Sequence, residues 1–230
     1  MIVYYLSTVG RRRTVSDDEI LFATMNAMGR HGPIDLTLAH VADAVGVTPA
    51  ALIKRFGSKR DLLLAVSRAG SAGMGAAFTQ LRASATSPLA ALIDATTQLA
   101  RATRSPEEAA HHLAFLHTDV TDADFRAPML EMTRATLAGY AALIEDAITK
   151  KELRACDARP LARVLYAVVG GSMITWAVVR KGTAESWVRA DIEAALAPYR
   201  ASREGALPRA LRDRTRARRR HRGRARGAAS

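Results

Sequence analysis

Cysteine is almost absent from this chain: Cys156 stands alone, so no intrachain disulfide can form, and a reducing, cytoplasmic interior is its simplest compartment. Aromatic residues make up only 5% of the 230 positions and β-branched residues are sparse, which argues against a sheet core. Ala and Leu recur throughout and favour an all-α fold. The most apolar stretch, Val164 to Val179, is 16 residues, short of the roughly 20 that cross a bilayer. It is expected to be a buried helix covered on most faces, with no membrane contact. The opening MIVYYLSTVG is also short, and its cations, Arg11 to Arg13, follow it rather than precede it, against the pattern of an export signal.

Acidic residues are nearly missing from the C-terminal end. Arg200 to Ser230 sets 12 arginines against Glu204 and Asp213, so ten of the twelve net positive charges belong to this segment. The preceding 199 residues are close to neutral, and only local clusters of charge there carry information. With almost nothing to bury, residues 200–230 are expected to stay disordered.

The punctuation of the remainder is helical. Ser16 and Glu19 have the spacing of a capping box, and Ile20, Ala23, Ala27 and Met28 share the face that follows, up to a stop near Gly32-Pro33. A second helix runs from Thr37, with Gly46 as its left-handed stop. A third starts on Thr48-Pro49 with Leu52, Ile53 and Phe56 as its apolar positions. Ser58 opens a fourth, reaching about Arg82 and expected to bend at Gly70, Gly73 and Gly75. Ser87-Pro88 and Ser105-Pro106 open two more. A loop is expected from Asp119 to Pro128, then a long helix with Met129, Met132, Thr136, Tyr140, Leu143, Ile144 and Ile148 on one side, then the apolar helix and a last amphipathic one.

Two short helices separated by Gly46-Val47-Thr48 form a helix-turn-helix, whose second helix enters the DNA major groove amino-terminal end first. An ordinary αα corner in a bundle has the same spacing, so the unit alone leaves both readings open.

The stretch from Ile20 to Leu64, ILFATMNAMGRHGPIDLTLAHVADAVGVTPAALIKRFGSKRDLLL, resembles the DNA-binding domain of the TetR family of transcriptional regulators. Gly32, Thr37, Val41, Ala42, Gly46, Val47, Thr48, Leu52, Phe56, Ser58, Lys59 and Leu62 match that family's pattern at its spacing. Where the family carries Tyr and His in the recognition helix, this chain has Ile53 and Arg55, and Ala50-Ala51 stand in place of Gly-Thr.

The resemblance implies a three-helix helix-turn-helix domain (16–65) and a C-terminal helical ligand-binding and dimerisation bundle (66–199); charge sets apart an N-terminal basic arm (1–15) and the Arg-rich tail (200–230). DNA contacts would come from Thr37, Ala39, Thr48, Pro49, Ala50, Ala51, Ile53, Lys54, Arg55 and Lys59, with Thr37 and Lys59 on phosphates. Pro49, Ala50 and Ala51 offer no side-chain donors, so base readout reduces to thymine methyl contacts, Lys54 and DNA shape. Phe78, Phe115, Met129, Met132, Tyr140 and Trp176 are the bulky groups available to line an effector cavity; each also fits as ordinary core. The implied protein is a homodimeric, ligand-responsive regulator, most often a repressor, on a pseudo-palindromic double-stranded DNA operator.

His111, His112 and His117 lack the i, i+4 spacing that sets two imidazoles on one helical face, so no metal site is read from them. Nothing in the sequence supports an enzyme or a cofactor. Two rival readings stay open: non-specific nucleic-acid binding through the tail, and a helical ligand carrier without operator recognition.

Overall fold

The computed structural model describes residues 15–201, so the expected arm and tail lie outside the described residues except at their inner edges. Among the described residues the chain forms α1 (Asp17–Asp35), α2 (Leu38–Val45), α3 (Pro49–Phe56), α4 (Lys59–Ser84), α5 (Pro88–Ala102), α6 (Pro106–Thr121), α7 (Ala123–Thr149), α8 (Ala158–Val179) and α9 (Ala184–Leu196), then a 3-10 turn (Ala197–Tyr199). Each helix starts behind a Ser, Thr or Asp whose side chain accepts a first-turn amide. At the head of α1 the box is reciprocal: Glu19 N–H donates to Ser16 Oγ at 3.2 Å, and Ser16 N–H to Glu19 Oε2 at 2.9 Å. Gly32, at φ 74°, breaks the regular helix within α1, three residues before the assigned end.

Two hydrophobic cores organise these helices. The first gathers Ile20, Ala27 and Met28 of α1, Val41 and Ala42 of α2, Leu52 of α3 and Leu62 to Leu64 of α4. It also recruits Phe115 of α6 and Phe125 of α7, whose rings meet edge to face at 5.7 Å. The second lies among α4, α5, α7, α8 and α9, around Leu92, Leu143, Ile144, Leu165, Val188 and Ile192, all of them fully buried. Helix α4 serves both, giving Leu62 to Leu64 to the first and Phe78 to the second. At about 1.5 Å per residue its 26 residues span roughly 39 Å.

Three expectations are corrected. The segment Asp119 to Pro128 is not a loop: α6 runs to Thr121, a single residue, Asp122, intervenes, and α7 begins at Ala123. Asp122 caps α7 by accepting from Asp124 N–H at 2.9 Å, and Pro128, early in the helix, forfeits one backbone bond but is buried, as is Phe125. Helix α4 passes through Gly70, Gly73 and Gly75 without leaving helical geometry; all three are exposed and a β-carbon on any would meet open space.

Helix α8 is not covered on most faces. Leu161, Leu165, Ser172, Met173 and Trp176 are buried, but Val164, Ile174, Val178 and Val179 lie in solvent, Val178 at 77% exposure. At 22 residues α8 is also longer than its apolar run, and by length and composition alone it could cross a membrane. Arg159 and Arg163 in its first turns and the buried side packed on α7 and α9 are the features of a core helix.

Candidate nucleic-acid interface

The turn between α2 and α3 is set by Gly46, left-handed at φ 71°, and by Val47 N–H bonded to the Ala42 carbonyl at 3.0 Å. Thr48 then caps α3, its hydroxyl accepting from Ala51 N–H at 3.2 Å, with Pro49 at the first helical position. One side of α3 is anchored by Leu52, 1% exposed. The other side, Pro49, Ala50, Ala51, Ile53 and Lys54, stands in solvent with Thr48. Ile53, read as an apolar position, is 52% exposed and belongs to this outer side. Lys54 has no partner among the described residues and presents its charge outward.

Thr37 heads α2 in a reciprocal arrangement: His40 N–H donates to Thr37 Oγ1 at 3.2 Å, and Thr37 N–H donates to His40 Nδ1 at 3.3 Å. Its hydroxyl therefore accepts inside the protein and keeps its proton for an outside acceptor. The box requires an unprotonated Nδ1 on His40, whose ring stacks on His31 at 4.0 Å. Burial first, then the neighbouring His40, Arg30 and His111, hold His31 below its ordinary pKa. Ala39 is exposed beside Thr37. Lys59, at the start of α4, is half-buried and donates from Nζ to the Ile34 carbonyl at 3.0 Å. Thr37 and Lys59 each lie at a helix amino terminus, where free amides favour an anion.

Arg55 departs from the expectation that it faces DNA beside Lys54. Its guanidinium pairs with Asp17 and donates to the Val15 carbonyl at 2.7 Å, so it braces α3 against the start of α1. Arg60, which sequence reading passed over, is the opposite case. It reaches across the chain to Asp122 and Asp124 at the α6–α7 corner, partners hidden from the sequence while that segment was read as a loop.

Residues 20–66 match the profile of bacterial regulatory proteins of the tetR family. The chain carries a TetR-family DNA-binding domain. It is a DNA-binding transcriptional regulator, and regulators of this family act by binding rather than by catalysis. No curated protein matches the chain. Among solved structures it is similar to a TetR transcription regulator from Haloarcula marismortui, at 20% identity over 80% of this chain and 97% of the other, with a TM-score of 0.65. A TetR-family regulator from Agrobacterium tumefaciens aligns at 23% identity over 79% and 94% of the two chains, TM-score 0.59. FadR from Bacillus subtilis, solved with stearoyl-CoA, aligns at 14% over 79% and 98%, TM-score 0.56. At such identities these likenesses establish the shared fold.

The bulky groups of the chain divide between the two cores. Phe78, Tyr140 and Trp176 share the second core, with Phe78 and Tyr140 edge to face at 5.7 Å and Trp176 Nε1–H donating to the Gly182 carbonyl at 3.2 Å. Phe115 is removed from that group, since it packs on Phe125 in the first core. Met129 and Met132 are half-buried on α7. Tyr140 is 5% exposed, and burial pushes its pKa up to about 12. Two open clefts flank the first core. One, of about 570 Å³, lies between the end of α1, the start of α4 and the α6–α7 corner; the other, of about 760 Å³, runs along the outer side of α1 by Phe22 and Val45.

Proposed function

We propose that the protein is a homodimeric, ligand-responsive repressor released from a pseudo-palindromic operator by a small, largely apolar effector, and that it acts in the cytoplasm. DNA is contacted by Thr37, Ala39, Thr48, Pro49, Ala50, Ala51, Ile53, Lys54 and Lys59. Arg55 joins them only by giving up Asp17. What carries the reading is the solvent-facing amino-terminal side of α3, flanked by two helix starts that bear Thr37 and Lys59. Phosphate anchoring is better supplied than base readout: Pro49, Ala50 and Ala51 present only apolar surface, so thymine methyl contacts, DNA shape and half-site spacing carry much of the specificity.

The dimer is supported by the exposed side of α8. Val164, Ala167, Gly171, Ile174 and Val178 are all exposed and recur at alternating spacings of three and four, the seam along which one helix accepts another. Such a row left in water is unfavourable at about 25 cal/mol per Å² of apolar surface, and a second copy covers it. Dimerisation would set two recognition helices about 34 to 36 Å apart on one side of the duplex. The effector cavity is assigned to the second core, with Phe78, Tyr140 and Trp176 as inner wall, Met129 and Met132 at its edge, and the Tyr140 hydroxyl as a polar contact. A ligand that prefers another arrangement of these helices lowers DNA affinity by linkage. Selection of bound genomic fragments with the purified full-length protein tests the reading. It expects a recovered inverted repeat with half-sites one helical turn apart; recovery of unrelated sequences would refute operator recognition.

A further inference from the structure

Two polar ties among the described residues join the helix-turn-helix region to α6 and α7. One is at the end of α1, where His111 Nδ1 meets the Gly29 carbonyl at 2.7 Å. The other is Arg60, second residue of α4 and neighbour of Lys59. Its Nη2 donates to Asp122 Oδ1 and Oδ2 at 3.0 and 2.8 Å and to Asp124 Oδ2 at 2.8 Å. The guanidinium also lies 5.4 Å from the centre of the Phe125 ring, which belongs to the first core.

As a stability device this cluster is weak. The Arg60 side chain is 48% exposed, and ion pairs this open to water add little to stability. Its geometry is nevertheless specific. One cation is held by the cap residue of α7 and by a first-turn carboxylate, 62 and 64 positions along the chain, at the corner where two helices change direction. The open cleft beside it is lined by Arg60, Asp122, Lys59 and Phe125, so the corner is not packed solidly against α4. Holding a long, half-exposed arginine in one rotamer has an entropic cost, offset here by charge-assisted bonds to two carboxylates rather than by burial.

We propose that Arg60 is a positioning residue for operator binding: by gripping Asp122 and Asp124 it fixes the first turn of α4, and with it Lys59 and α3, against the α6–α7 corner. DNA affinity then depends on where that corner stands, and a shift of α6 or α7 reaches the recognition helix through this clamp as well as through packing. The inference rests on the DNA-binding function stated above. Its alternative is that Arg60, adjacent to Lys59, is itself a phosphate ligand that the two aspartates hold away from DNA.

The two readings predict opposite signs. With the full-length protein and the operator fragment recovered from genomic DNA, binding is measured against salt for wild type, Arg60→Met, Asp122→Asn with Asp124→Asn, and all three together. Asn caps a helix about as well as Asp, so α7 keeps its start. The clamp predicts that Arg60→Met and the double Asn variant each weaken binding about 5- to 10-fold, with the salt slope unchanged. It further predicts that the triple variant is no worse than either, and that Arg60→Lys restores part of the loss. A phosphate ligand predicts that the Asn variant binds more tightly and that Arg60→Met lowers the salt slope by about one. That result, or full affinity in all variants, overturns the clamp. If wild type selects no operator at all, the DNA-binding reading fails first and separately.

Discussion

Gly139 of α7 lies against the ring of Phe78 of α4, so close that a β-carbon at 139 would overlap the ring. This contact closes the second core where the longest two helices cross, beside Tyr140. Gly139→Ala gains helix propensity but forces the ring to move, and overpacking of this kind costs about 1 to 3 kcal/mol. The melting temperature of the variant is expected to fall. Gly73→Ala is the contrasting case, because a methyl there meets open space on an unbroken helix. It should stabilise the protein by up to about 1 kcal/mol. If α4 bends at Gly73 when effector binds, the same change also blunts effector-induced release of DNA; unchanged release would remove the hinge.

Asp119 sits half-buried on α6 with no hydrogen bond or ion pair among the described residues, and burial lifts its pKa from 3.8 to about 6. A carboxyl raised in the folded state adds stability that is fully present below 3.8 and is lost as pH rises through about 6. Asp119→Asn should therefore melt higher than wild type at pH 8, with the gap closing toward pH 4. Burial lowers the pKa of His31 and His112, which act in the opposite sense and destabilise the fold as pH falls below 6.5. Both are common to the two proteins, so the difference between their melting curves isolates Asp119. A gap that does not vary with pH would show this carboxyl to be solvated.

Lys54 and Lys59 differ in setting, the first extended into solvent and the second tied to the Ile34 carbonyl. If both contact phosphates, each alanine variant lowers the salt slope of operator binding by about 0.9 and weakens all sequences alike. If Lys54 reads a guanine instead, Lys54→Ala relaxes the preference at one position of the half-site, at about 1 to 3 kcal/mol. Binding to a panel of single-base operator variants at two salt concentrations separates the outcomes.

Ile174 is 47% exposed in the middle of the α8 seam. Replacing it by Glu places a charge where a partner helix would desolvate it, without touching the folded subunit. Sedimentation is expected to show a folded monomer whose operator affinity collapses because half-sites no longer bind together. A dimer that persists would place the subunit contact elsewhere.

The helix starts were readable because capping is local: Ser16, Thr37, Thr48, Ser58, Ser87 and Ser105 each bond an amide three residues on. The helix-turn-helix was readable for the same reason, since Gly46 and Pro49 dictate a backbone shape within a few residues. The start of α7 was hidden by Pro128, which reads as a loop residue until the burial of Phe125 and the Asp122 cap are seen to outweigh one lost bond.

The sequence by itself determined the all-α class, the boundaries of the first helices, and the apolar, donor-poor surface of the recognition helix. These follow from backbone propensities and capping bonds that act within four residues. Only tertiary structure decided that Arg55 braces α1, that Arg60 grips the α6–α7 corner, that Phe115 serves the first core, and that α8 bares a seam of small and apolar residues. Each of these depends on which groups from distant parts of the chain are brought within a few ångströms, and a periodic apolar pattern specifies that a face is buried without naming what buries it.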